Sequence, residues 1–237
     1  MLATLAAVAS SLAVSVVTPA PPAPGDVAAL VRRCVEAYGG KAALARAARW
    51  RQEGTVTSLL HPGEKGRIAR AYERPGRLRV EIAYPGGGGE VRVLAGGRGW
   101  RDGEEASGPR LAAMILQAAR VDLPALLSSR GSKVTEAGTI ELGGKKLRVL
   151  AVEPAPGLVV EAAIDPASGR ILRSRGASRD PGAAQIEFVT TYSGFRVVAG
   201  VLVAMREENW ANGRSTGETV LEEVEFPKAL PEGTFGP

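Results

Sequence analysis

One histidine and one cysteine are all that this 237-residue chain offers for thiol, imidazole or soft-metal chemistry. His61 stands in the triplet His61-Pro62-Gly63, which has turn composition, and Cys34 lies on an apolar helical stripe. Together they cannot furnish a zinc tetrad or an HExxH helix. A Cys34–His61 pair would need the helix thiol to face the turn, so a core cysteine and an exposed histidine are expected instead. The G-x-S-x-G match Gly213-Arg214-Ser215-Thr216-Gly217 follows the hairpin dipeptide Asn212-Gly213 and runs into a strand, not into a helix as a nucleophile elbow does. The glycine runs Gly86–Gly89 and Gly96-Gly97-Arg98-Gly99 are not followed by a helix carrying Lys-Ser/Thr, and they read as hairpin loops rather than phosphate cradles. Glu104-Glu105, Glu207-Glu208 and Glu222-Glu223 are sequence neighbours, which on a strand point to opposite faces and do not make a facing carboxylate pair. The expectation is a protein without enzymatic activity, cofactor or metal.

The formal charge is +5, but basic and acidic residues are interleaved, and Arg32-Arg33, Lys145-Lys146 and Arg173/Arg175 are short and scattered. Trp50, Trp100 and Trp210 are far apart in a chain that is 5% aromatic, so no Arg-interleaved stacking platform for nucleic acid is present. A solvated polar sheet face accounts for the charge pattern. Residues Leu2 to Val17 carry no charge and are followed by a Pro/Ala run from Pro19 to Pro24. This stretch is shorter than the roughly 20 residues of a membrane span. It fits the apolar region of a signal peptide over residues 1–25, although no Lys or Arg precedes it. A periplasmic location follows, with 26–237 as a single domain.

Asp26 is placed to cap a first helix whose Val27, Leu30, Val31, Cys34, Val35 and Tyr38 form one apolar stripe. Gly39-Gly40 ends it, and Lys41–Ala48 makes a second short helix. The period then changes from helical to alternating. Strands are expected at Trp50–Leu60, Gly66–Glu73, Leu78–Tyr84, Glu90–Ala95 and Gly99–Asp102. Leu111–Ser129 interrupts with helical spacing, and Pro124 starts a further short helix within it. Strands resume at Val134–Leu142, Lys146–Glu153, Leu158–Asp165, Ile171–Ala177, Ala184–Tyr192, Val201–Trp210 and Ser215–Phe226. Short turns make a local antiparallel meander the expected topology.

Alternation assigns an apolar, concave face to these strands. Its candidate lining is Leu78, Val80, Ile82, Val91, Val93, Ile186, Phe188, Val203 and Met205, with Met114 and Ile115 from the helical interruption. The helices either complete a packed core or cover an apolar ligand site as a lid.

Two segments carry a resemblance. Val35-Glu36-Ala37-Tyr38-Gly39-Gly40-Lys41-Ala42-Ala43-Leu44, running into Trp50–Val56, resembles the start of LolA/LolB-like periplasmic proteins, including those labelled outer membrane lipoprotein-sorting. The tail is similar too: Tyr192-Ser193-Gly194-Phe195-Arg196, Gly200-Val201, the strand Thr219–Phe226, and Pro231-Glu232-Gly233-Thr234-Phe235. The chain departs from that pattern after Val201, where Leu202-Val203-Ala204 stands in place of an expected proline. The resemblance implies a mainly β (α+β) fold, an incomplete antiparallel β-barrel of about eleven strands with helices over its concave face. It implies a monomeric periplasmic carrier of lipid or lipoprotein acyl chains, in transient contact with a membrane or an envelope protein. The alternative is a peptide-binding envelope sensor of the same fold.

Overall fold

The computed structural model describes residues 26–179 and 187–237, so the leader and Ile186 lie outside the described part. Helix α1 (Val27–Ala37) starts where Asp26 Oδ1 accepts from Ala29 N at 2.7 Å, and it buries Leu30, Cys34 and Val35. Burial pushes the Cys34 thiol up to about 12, which leaves it a neutral core hydrophobe. The turn to α2 (Gly40–Arg46) passes through Gly39 at φ +101° and Gly40 at φ +81°.

Gly39 does more than turn the chain. A methyl there would sit 2.0 Å from the Gly200 carbonyl oxygen, so only glycine lets the helical cover touch the backbone of that distant loop. Gly40→Ala, with open space around it, is expected to cost about 1–2 kcal/mol through left-handed strain alone. Gly39→Ala should cost clearly more, at least about 2–4 kcal/mol once the backbone collision is added. Urea denaturation of the two variants checks this. Equal losses would mean that the helix–loop contact yields freely.

After α2 come β1 (Arg49–Ser58), β2 (His61–Glu73), β3 (Arg77–Ala83), β4 (Gly89–Ala95), β5 (Arg98–Arg101) and β6 (Glu104–Ala106). Two helices follow, α3 (Gly108–Val121) and α4 (Leu123–Ser128), with Pro124 in the first turn of α4. The second half contains β7 (Thr135–Leu142), β8 (Lys145–Ala155), β9 (Leu158–Ile164), β10 (Ile171–Ser178) and β11 (Glu187–Ser193). It ends with β12 (Arg196–Val198), β13 (Val201–Val203), β14 (Arg206–Ala211) and β15 (Arg214–Glu225).

Thirteen strands form one antiparallel sheet in the order β6-β5-β4-β3-β2-β1-β15-β14-β11-β10-β9-β8-β7, and β12 and β13 make a separate hairpin. Each half is the expected local meander. The halves are joined by β1 and β15, from opposite ends of the chain, in a pairing no hairpin rule could supply. Strands β6 and β7 are the two ends of the sheet and do not pair, so the barrel is incomplete. Helix α3 connects them in sequence and packs on β4 and β5 at one end and on β8, β9 and β10 at the other, spanning the seam. Helix α1 lies on α4 and α2.

Three boundaries differ from expectation. The first hairpin turns at Leu59-Leu60, exposed at 65% and 88%, so His61-Pro62-Gly63 begins β2 instead of forming the turn. A register shift between Thr57 and Ser58 absorbs the extra residues. The expected strand Val201–Trp210 is two strands. Ala199 (φ +46°) and Gly200 (φ +82°) turn β12 into β13, and β14 begins only after Met205, whose carbonyl accepts from Leu221 N at 2.7 Å. The strand β6 was not foreseen, and Glu104-Glu105-Ala106 is too short to show an alternating pattern.

Candidate functional site

The register decides which side chains face the helices. Across β1, β2, β3, β4 and β5 one row reads Gln52, Arg70, Val80, Arg92, Arg101, each directly opposite the next. One step toward the helices the row is Trp50, Tyr72, Leu78, Leu94, which joins Val80, Met114 and Ala118 in a dry core. In the direction of the hairpin tips it is Gly54, Ile68, Ile82, Glu90. On the other side of β1, the bulge between Glu53 and Gly54 brings Thr219 of β15 and Glu207 of β14 onto the same concave face, with Tyr192 beside Glu207.

The polar row apart from Val80, together with Trp50, Ile68, Ile82, Glu90, Thr219, Glu207 and Tyr192, lines a cavity of about 430 Å³ between the sheet and the helical cover. Leu44, Trp50, Leu202 and Phe226 form its helix end, and Val56, Ile68, Ile82 and Tyr84 form the end toward the hairpin tips, where Leu60 and His61 are reached. His61 stacks on Tyr84 with ring centroids 3.8 Å apart.

The middle of the cavity is polar. Arg70 donates to both oxygens of Glu207 at 2.9 and 2.8 Å, and their side chains are only 6% and 14% exposed. Burial by itself would raise the Glu207 carboxyl, but the Arg70 guanidinium, helped by Arg120, holds it below the usual carboxylate range. Arg120 of α3 donates to Thr190 Oγ1, which in turn donates to Asn209 Oδ1 at 2.8 Å. Ser174 Oγ and Tyr192 OH share a hydrogen bond of 2.7 Å.

A second polar cluster closes the helix end. Arg74 donates through Nε and Nη2 to the two oxygens of Asp122, each at 2.6 Å, and through Nη1 to the Leu44 carbonyl at 3.1 Å. Tyr72 OH donates to the same carboxylate at 3.0 Å. Asp122 is the residue between α3 and α4, so this clamp ties α2 and the α3–α4 junction to the end of β2. Burial raises the Asp122 carboxyl against the pull of Arg74 and Tyr72.

Of the lining residues read from the sequence, Ile82, Phe188 and Val203 are on the cavity wall. Leu78, Val80 and Met114 are packed in the adjoining core, and Ile115 is half-buried against it. Met205 is buried away from the wall. The face of β4 is a correction. Pairing of Leu78 with Leu94 turns Glu90 and Arg92 into the cavity and sends Val91 and Val93 to the other side of the sheet. Val93 is buried there all the same, with Arg79 and Trp100 directly opposite it on the neighbouring strands. Ile186 lies outside the described residues.

The inward charges are what sequence reading missed. Interleaved Arg and Glu read as a solvated face, yet Arg70, Arg92, Glu90 and Glu207 point inward. A signal existed: Arg70 has the same strand parity as the apolar Ile68 and Tyr72. Among the described residues no group of three or more His, Cys, Asp and Glu side chains is placed to hold a metal ion. No helix of the described residues is long and apolar enough to cross a membrane.

No protein-family model matches the chain, and no curated protein matches it in sequence. Solved structures do. A LolA superfamily protein from Nitrosomonas europaea superposes with a TM-score of 0.60 at 11% identity, over 89% of this chain and 97% of that one. A DUF1329 family protein from Desulfovibrio piger gives 0.54 at 10% identity, over 88% and 96%. The chain therefore has a LolA-like fold, an incomplete antiparallel barrel with helices across its open side.

Proposed function

We propose that this LolA-like chain is an exported binding protein that shields an apolar ligand, the acyl chain of a lipid or lipoprotein, between its sheet and its helical cover. The observation that carries this reading is the cavity of about 430 Å³, whose two ends are lined by Trp50, Leu202, Phe226, Val56, Ile68 and Ile82. Its size lies within the ~300–1,000 Å³ of small-molecule sites. Each methylene moved from water into such a lining contributes roughly 0.8 kcal/mol. An uncharged leader over residues 1–25 supports export, with 26–237 folding as one domain in the periplasm. The net charge of +5 favours transient docking on anionic lipid, which salt would weaken.

The test is direct. Protein purified from its own envelope, examined by native mass spectrometry and solvent extraction, should carry lipid, and a fluorescent fatty acid should be displaced by unlabelled acyl compounds. Protein free of lipid that displaces nothing would overturn the carrier reading and favour a peptide-binding role, to be checked by envelope pull-down.

A further inference from the structure

The cavity of an acyl carrier needs no charge, yet five arginines line this one: Arg70, Arg74, Arg92, Arg101 and Arg120. Four carboxylates accompany them, Glu90, Asp122, Glu207 and Glu218. Three of the four are committed. Glu207 is held by Arg70, Asp122 by Arg74, and Glu218 by Arg206 at 2.8 Å. Arg92 and Arg101 are left to share Glu90, at 3.4 and 2.9 Å. Arg120 has the Thr190 hydroxyl, and no carboxylate among the described residues forms an ion pair with it. Arg101, 52% exposed, also pairs with Asp102 at 3.7 Å, so the positive charge left over in the interior is that of Arg120. Among the lining residues, Arg92 Nε, Arg120 Nε, Arg70 Nε, Gln52 Oε1 and Glu218 Oε1 are buried without a hydrogen-bond partner among the described residues. Orphaned guanidinium nitrogens of this kind are costly unless an acceptor arrives.

Resting on the carrier reading above, the geometry points to a bound amphiphile with one chain and an anionic oxygen head group, its head seated between Arg92 and Arg120. The head is a carboxylate or a phosphate ester. It brings a counter-charge to Arg120 and acceptors to the Nε groups of Arg92 and Arg120, since paired guanidinium groups are suited to oxyanions. The chain then runs along Ile68, Ile82 and Phe188 toward the hairpin tips. The volume, at the lower end of the usual range, suits one chain rather than several. Crowding is consistent with this. Burial together with the like charges of Arg70, Arg101 and Arg120 pulls the Arg92 guanidinium below its usual range, with only Glu90 opposing, and an added anion would relieve it.

Displacement of a fluorescent fatty acid from the full chain, at constant ionic strength, tests the assignment with four probes: palmitate, hexadecyl phosphate, hexadecanol and inorganic phosphate. Palmitate or hexadecyl phosphate should bind about tenfold or more tightly than hexadecanol, the gain from one charge-assisted hydrogen bond. Which of the two is tighter identifies the head group. Arg92→Gln and Arg120→Gln should each reduce that preference about tenfold. Equal binding of acid and alcohol by the unaltered protein would overturn the head-group site and leave the carrier reading standing. Failure of every long-chain probe would overturn both. Tight binding of inorganic phosphate with no gain from a chain would overturn the amphiphile in favour of a free anion.

Discussion

Arg74→Met is expected to destabilise the protein by about 3 kcal/mol, the lower part of the range for breaking a buried ion pair. The lower part applies because the Arg74 side chain keeps 27% exposure. The loss comes less from the missing attraction than from what stays behind. Asp122, 12% exposed, would retain only the Tyr72 hydroxyl, and the Leu44 carbonyl would lose its donor. Burial already raises this carboxyl, so without Arg74 it would protonate at a higher pH still. A raised carboxyl is stabilising to the fold below its ordinary value and becomes a cost as pH rises through its folded value, so the Arg74→Met deficit should shrink on mild acidification. The double variant Arg74→Met/Asp122→Leu should recover most of the loss, since it removes both buried charges together. Urea midpoints of the three proteins at two pH values measure this, and a single variant as stable as the parent would show that the clamp does not hold α2 and the α3–α4 junction.

The second large effect is expected at the pair in the middle of the cavity. Glu207→Gln should cost about 3–5 kcal/mol at neutral pH, because it leaves Arg70, 6% exposed, without its counter-charge. Here the pH dependence has the opposite sign. Glu207 is held below the usual range, so the stability it contributes is fully present above the ordinary glutamate value of about 4.3 and is lost as pH falls through its lower folded value. The parent should therefore lose stability steeply only in that acid window. Glu207→Gln should be less stable above it, and its curve should lack this component. A parallel pair of stability–pH curves would show that the Arg70–Glu207 contact is solvent-screened and contributes little.

The helix stripe of α1, its aspartate cap and the glycine break at Gly39-Gly40 were all legible in the chain, because each is a local preference over a few residues. So was the alternation of β3, where Leu78 and Val80 are buried and Arg77 and Glu81 are exposed. The expected strand Val201–Trp210 merges β13 with β14 and leaves β12 out, since three residues are too few to reveal a period and the break at Ala204-Met205 has no Gly or Pro to mark it. In β4 the alternation was legible but its direction was not. Val91 and Val93 are more apolar than Glu90 and Arg92, and by hydropathy alone they claim the inner face. Only pairing with β3 assigns them to the outside, because one residue of register reverses every side chain on a strand.

Taken alone, the sequence determined the class of fold: helices first, two runs of antiparallel strands, one helical interruption, and too few chemical residues for any familiar catalytic or metal signature. Those properties follow from short-range periodicity and composition. The tertiary structure decided how the site is made. The pairing of β1 with β15, the unclosed seam between β6 and β7, and the bulge beside Gly54 bring residues separated by more than a hundred positions onto one concave face. An arginine in a strand has the same local pattern whether it faces water or a buried glutamate. What distinguishes Arg70 from Arg67 is the strand that arrives from the far end of the chain with Glu207 at 2.8 Å on the inner face, while Arg67 meets an exposed Glu222 on the outer one.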